Sequence, residues 1–125
     1  MFSGQLVRRR AIRFIFSHAG GTIPMLAGRI AQLSTSVPQL AAAVPDGVES
    51  ELRRLYYEVA NSANRPALAA LLSLVPATQV LFGSDFPLVP IAATQAKLPG
   101  LGLSSGDLAA ISRRTALRLF PRLGG

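Results

Sequence analysis

Cysteine is missing from this 125-residue chain, histidine occurs once, and only 15% of the residues are charged. Without cysteine there can be neither a disulfide framework nor a thiolate zinc site. Long apolar runs are missing as well, and nothing approaches the ~20 residues of a membrane-crossing helix. The opening MFSGQLVRRRAIRF sets arginines ahead of apolar residues. It has no sustained apolar segment and no small-residue cleavage site, so it does not read as a signal peptide, and the cytoplasm is the expected compartment. A dinucleotide fingerprint is excluded too, because the G-x-G-x-x-G spacing is absent.

What is present is apolar. Half of the residues are hydrophobic, too many for a disordered chain, and the length suffices to bury a core. That much apolar character on so small a surface is also what a piece of a larger protein shows when former core is exposed. The formal net charge of +7 raises the alternative of a basic nucleic-acid-binding module. Its carriers are scattered arginines: Arg8, Arg9, Arg10 and Arg13, then Arg53 and Arg54, then Arg113, Arg114, Arg118 and Arg122. No aromatic side chains interleave with them as a stacking platform requires, and solvated helix faces account for the pattern equally well.

Along the chain, apolar stretches alternate in character. Residues 12–17, IRFIFS, form a short Ile- and Phe-rich run closed by a Gly pair, the pattern of a strand buried on both faces of a parallel sheet. Thr22 is placed to cap a helix with Pro24 in its first turn, and Ile23, Leu26, Ala27, Ile30 and Leu33 share one helical face. VESELRRL predicts a short helix, and LYYEVA after it a short strand. Asn64 and Pro66 open a further helix carrying Leu68, Leu71, Leu72 and Val75 at i, i+3, i+4, i+7, stopped by Pro76. TQVLFGSD predicts a third strand. A final helix follows from a Ser104 or Ser105 cap, with Asp107 in its first turn. The alternation predicts an α/β fold with parallel strands and right-handed crossovers.

In such folds reactive groups gather at the carboxyl ends of the strands. His18 ends RFIFS and Asp85 ends VLFGS, so parallel strands bring them to one rim although they lie 67 positions apart (85 minus 18). A histidine and a carboxylate converging there suit metal binding or proton transfer. Both residue types also occur at such places as hydrogen-bonded turn formers. Glu58 ends the middle strand on the same rim and reads as a surface glutamate.

FSGQLVRRRAIRFIFSHAGGTIPMLAGRI resembles a segment of the amidohydrolase-related family, a strand followed by H-x-G-G, a proline and G-R. VLFGSDFPLVP is similar to that family's later strand ending G-[ST]-D-[FY]-P. SRRTALRLFPRL resembles its closing helix, with Thr115 where the family usually has Asn. The branch most resembled is that of aminocarboxymuconate-semialdehyde decarboxylase and related aromatic-acid decarboxylases. The resemblance implies a (β/α)8 barrel with a divalent metal, usually zinc, in its mouth. It implies that Asp85 is a metal ligand that also touches the metal's water, and that His18 orients or deprotonates that water. Arg29 matches an arginine that can reach a substrate carboxylate across a dimer interface. Leu88 departs from the pattern, since decarboxylases often present an aromatic side chain there.

The family's remaining metal ligands, a His-x-His pair on the first strand and a histidine on the fifth, have no counterpart in this sequence. Residues 1–125 are therefore expected to form a single partial domain, the carboxyl-terminal segment of such a barrel with about three strand–helix units. The function implied is a metal-dependent carboxy-lyase or hydrolase acting on a small carboxylated substrate. The expected partners are a second copy or a complementary amino-terminal barrel segment. A non-catalytic α/β module that associates through its exposed core side stays open as an alternative.

Overall fold

The computed structural model describes residues 1–124. Three parallel strands form one sheet in the order β1 (Ile15–Phe16), β2 (Tyr56–Glu58), β3 (Val80–Leu81). Ile15 pairs with Tyr56 and Phe16 with Tyr57, while Tyr57 pairs with Val80 and Glu58 with Leu81. Parallel neighbours need crossovers long enough to return the chain, and helices supply them. A short α1 (Gln5–Arg8) precedes the sheet; α2 (Ile23–Ser36), α3 (Pro38–Ala43) and α4 (Val48–Arg53) join β1 to β2, and α5 (Arg65–Leu74) joins β2 to β3. After β3 come α6 (Ile91–Lys97) and then α7 (Ser105–Ala109) and α8 (Thr115–Leu119).

The expected α/β class and strand direction hold, but the strands are shorter than the apolar runs implied. The first differs in burial too. Ile15 is exposed and Phe16 half-buried, so β1 is not covered on both faces. It is an edge strand, and only β2 has a hydrogen-bonded neighbour on each side. The core accordingly centres on the middle of the sheet. Tyr57, Val59 and Val80 pack with Leu52, Leu71, Leu98 and Ile111, all essentially inaccessible to water.

Helix α5 shows why the residues choose these elements. Asn64 is extended and its side chain accepts a hydrogen bond from the Ala67 amide at 3.0 Å, Pro66 sits in the first turn, and Leu68, Leu71 and Leu74 are buried on one face. Ser104 caps α7 in the same way, accepting from the Asp107 amide at 3.0 Å. Thr22 does not cap α2. Its backbone is already helical (φ −84°, ψ −8°) and its side chain makes no capping hydrogen bond, because a cap needs the extended conformation that turns the hydroxyl back over the helix end.

The closing helix is interrupted by a π-helical turn over Ala110–Arg114. Ile111, Thr115 and Leu119 all face inward, a span of eight residues where two regular α-turns take about seven. The wider turn absorbs the surplus and keeps all three against the sheet.

Several arginines are committed to local pairs. Arg10 binds both oxygens of the buried Glu51 at 2.5 and 2.6 Å and reaches Asp46 at 3.2 Å, while Arg54 lies 3.1 Å from Asp46 and Arg53 lies 3.6 Å from Glu49. This cluster borders a cavity of about 230 Å³ lined by Arg10, Arg13, Phe14 and Tyr56 among others. It lies at the amino-terminal ends of the strands, away from His18 and Asp85. Pairing of this kind breaks up any continuous cationic face. Among the described residues no helix is long and apolar enough to cross a membrane.

Candidate functional site

Each strand leads within four residues to a non-glycine residue with positive φ. His18 (φ 54°) and Ala19 (φ 55°) follow β1, Asn61 (φ 51°) follows β2, and Asp85 (φ 68°) follows β3. Such backbone is costly for residues with a Cβ, on the order of 1 kcal/mol or more each. Among the described residues these are the four non-glycine positions of this kind, and all lie at one end of the sheet. Strain gathered at one rim marks the place where side chains are aimed rather than simply packed.

The rim is stitched together by the turn after β2. The Ala60 carbonyl lies 2.9 Å from His18 Nδ1. A carbonyl only accepts, so Nδ1 must carry the proton, and in the neutral ring Nε2 is the free lone pair. The Glu58 carboxylate accepts from two backbone amides, His18 N at 2.7 Å through Oε1 and Ala60 N at 2.6 Å through Oε2. Asn61 Nδ2 donates to Asp85 Oδ2 at 2.7 Å. The middle turn thus holds the histidine on one side and the aspartate on the other.

The ordinary pKa of histidine is raised at His18. The Ala60 carbonyl is the main cause, because it accepts from the ring's N–H; burial opposes it, and the charges of Asp85 and Glu58 each add a smaller upward push. His18 is exposed and Asp85 half-buried, so both are open to a ligand in the mouth.

His18 and Asp85 are thus brought to one rim as the sequence predicts. Arg29 does not join them. It lies on the exposed side of α2 beside a shallow depression lined by Gln32, Leu33 and Ser36. Leu88 is 82% exposed on the loop that leaves Asp85. Glu58 departs from its expectation as a surface glutamate, since both carboxylate oxygens are engaged and it serves the rim. Asn61 was not anticipated at all. An Asn beside Ser and Ala reads as a turn residue, and only the register of β2 against β3 shows that its amide meets Asp85.

Among the described residues no three His, Cys, Asp or Glu side chains converge on a point that could hold a metal. The rim still offers donors suited to one. Asp85 has its second oxygen outside the Asn61 bond, and His18 presents an unprotonated nitrogen. Those are fewer than the three or four protein ligands of a tight site.

The parallel α/β rim joins a histidine from one strand end to an aspartate from another, two units along, which is how part of a parallel (β/α) barrel gathers side chains from distant segments. The chain belongs to the amidohydrolase family, whose pattern, described as Amidohydrolase, matches residues 3–122. Its relatives are decarboxylases, the branch that the sequence resembles. A 6-methylsalicylic acid decarboxylase of Penicillium expansum is 34% identical over 126 residues, covering 98% of this chain and 39% of that protein. A decarboxylase of Aspergillus niger is 31% identical over 127 residues, covering 96% of this chain and 34% of that protein. Among solved structures, the 2,6-dihydroxybenzoate decarboxylase from Rhizobium superposes with a TM-score of 0.84 at 20% identity, over 100% of this chain and 39% of its own. The dihydroxybenzoic acid decarboxylase of Polaromonas sp., solved with bound manganese and 2-nitroresorcinol, gives 0.81 at 19% identity over 99% of this chain and 38% of its own. The fold is part of the barrel of those decarboxylases, and the chain spans under two-fifths of the length of these relatives.

Proposed function

We propose that this chain supplies the carboxyl-terminal rim of a metal-dependent decarboxylase acting on a small carboxylic acid, an aromatic one by analogy with the relatives. In this reading Asp85 holds a divalent metal, which supplies Lewis acidity when bound. Manganese is the metal recorded in the Polaromonas relative, and zinc is the one implied by the wider family. His18 is the proton-handling group. Its Nδ1–H is fixed on the Ala60 carbonyl, so Nε2 is left as an acceptor when neutral and a donor when charged. Arg29, exposed on α2, would clamp a substrate carboxylate in a neighbouring copy. Loss of carbon dioxide needs a proton at the carbon left behind, and a histidine with a raised pKa is suited to give one. Residues 1–125 act in this reading as one partial domain that functions with an amino-terminal barrel segment.

The observation that carries the reading is the pairing of His18 and Asp85 at one strained rim, each bonded to the turn between them. Its test is complementation. The chain is co-produced with the amino-terminal part of a decarboxylase relative, and release of carbon dioxide from a 6-methylsalicylate-type acid is followed with manganese or zinc. Metal-dependent release is expected, abolished by Asp85→Asn and lowered on the order of 10²–10⁴-fold by His18→Asn, the usual worth of a proton-transfer group. Full activity in either variant would sink the assignment.

Two observations favour a second reading, that of a non-catalytic module. Among the described residues no three potential metal donors converge at the rim, and Ile12 and Ile15 stand exposed at the open β1 edge. An edge of this kind invites pairing with another chain. A stable dimer that binds no metal and gains no activity on complementation would favour it.

A further inference from the structure

We infer that Glu58 is a positioning residue whose carboxylate sets the tautomer and direction of the His18 ring. This goes beyond the roles given to His18 and Asp85 and rests on reading His18 as the proton-handling group.

The bonds around Glu58 close a ring. One oxygen takes the His18 amide at 2.7 Å and the other takes the Ala60 amide at 2.6 Å. Those two residues are joined a second time, by the 2.9 Å contact from His18 Nδ1 to the Ala60 carbonyl. The carboxylate therefore fixes the separation of two backbones that must stay close for the ring's own bond to form. His18 sits at φ 54°, a conformation that a side chain with a Cβ resists, so something must hold it there. The carboxylate's grip on the His18 amide does so.

The segment just after β3 is shaped to admit this carboxylate. A Cβ built on Gly83 would lie 1.7 Å from Glu58 Oε2 and 2.7 Å from its Cδ. The space beside Gly83 is filled by Glu58, which is why the apolar run Val80, Leu81, Phe82 breaks to glycine there. Only a group with two acceptors on one carbon can serve both amides. Glutamine has one acceptor, and its amide N–H would face a backbone N–H.

A residue that merely stabilised the turn would change how much protein is folded, and not the proton's place within the folded protein. The chain has one histidine, so its ring gives a single, unambiguous set of nitrogen signals. The experiment is long-range ¹H–¹⁵N correlation on the labelled, metal-free chain above the pKa of His18, comparing wild type with Glu58→Gln. Wild type is expected to be predominantly protonated at Nδ1. In the folded variant the ratio of Nδ1–H to Nε2–H should fall roughly three- to tenfold, the equilibrium worth of one hydrogen bond. An unchanged ratio in a folded variant overturns the inference. If Glu58→Gln does not fold, exchange of the wild-type His18 and Ala60 amides decides. Protection of both above the rate of free loop amides supports the role, and free exchange of His18 refutes it. None of these signals requires metal or turnover. A decarboxylase assay that fails leaves them intact, and an unchanged tautomer leaves the decarboxylase reading intact.

Discussion

Gly83→Ala asks whether the rim really depends on a cavity one methyl wide. Gly83 does not have the positive φ that penalises alanine, so the substitution acts through space alone. The added carbon would overlap Glu58 Oε2 at 1.7 Å and touch the Ala60 amide nitrogen at 3.1 Å. The carboxylate must leave, and with it go the bonds to the His18 and Ala60 amides. Hydrogen bonds to a charged group are worth about 1.5–3 kcal/mol each, and a half-exposed carboxylate belongs at the low end, giving about 3 kcal/mol for two. Replacing glycine restricts the unfolded chain and returns about 0.5 kcal/mol. The net loss is about 2.5 kcal/mol, a fall in Tm of roughly 8–12 °C for a domain of this size. Gly28→Ala is the control, since Gly28 lies inside α2 with no heavy atom within 4 Å of the new carbon. It should gain about 1 kcal/mol from helix propensity. Thermal unfolding by circular dichroism measures both. A Gly83→Ala variant melting within about 2 °C of wild type would refute the argument, because the carboxylate would then have moved at no cost.

Tyr57→Phe removes a buried hydroxyl that donates to the Leu52 carbonyl at 3.0 Å. Leu52 O keeps the Leu55 amide at 3.2 Å, so the loss should be about 1 kcal/mol, seen as a small drop in denaturant midpoint with an unchanged slope. Burial pushes the Tyr57 phenol up to about 12. Its unfolded counterpart ionises near 10, so stability should decline as pH rises past that value, and Tyr57→Phe should remove that part of the decline. Thr115→Val should stabilise by about 1 kcal/mol, because the buried Thr115 hydroxyl has no partner and an unsatisfied hydroxyl is unfavourable; a variant that melts lower would contradict this. The raised pKa of His18 has a definite sign. The charged ring's stabilisation is complete below its unfolded value and is lost as pH rises through the higher folded value. Tm should therefore fall from pH 6 to pH 8, and His18→Asn, which tolerates the same left-handed backbone, should flatten that slope. Equal slopes in the two proteins would remove the His18 contribution.

The helices were legible because their causes are local. Asn64, Pro66 and the leucine spacing of α5 act within one or two turns, and so does Ser104 at the start of α7. The π turn in the closing helix was not legible, since no residue in Ala110–Arg114 demands it. It follows from the need to keep Ile111, Thr115 and Leu119 on one surface, which is a property of the sheet beneath. Strand lengths failed for a related reason. Apolar residues mark where a strand is buried, but the ladder extends only as far as a neighbour is present, and Ile15 faces open space in place of a strand.

The site divides along the same line. His18 and Asp85 stood out because each closes an apolar run, and parallel strands must bring such ends together. Glu58 and Asn61 did not, although they hold those two in place. Their partners lie 40 and 24 positions away, and nothing near either residue announces the contact. Gly83 carries the trace that was available. A glycine inside a strand-ending run, with ordinary φ and no turn to make, means that another group occupies the space of its side chain. Asking which side chain reaches across from the neighbouring strand leads to Glu58, two residues before Ala60 and one bond from the histidine. In a parallel sheet, such a glycine on one strand and a carboxylate on the next form a pair as informative as a histidine at the rim.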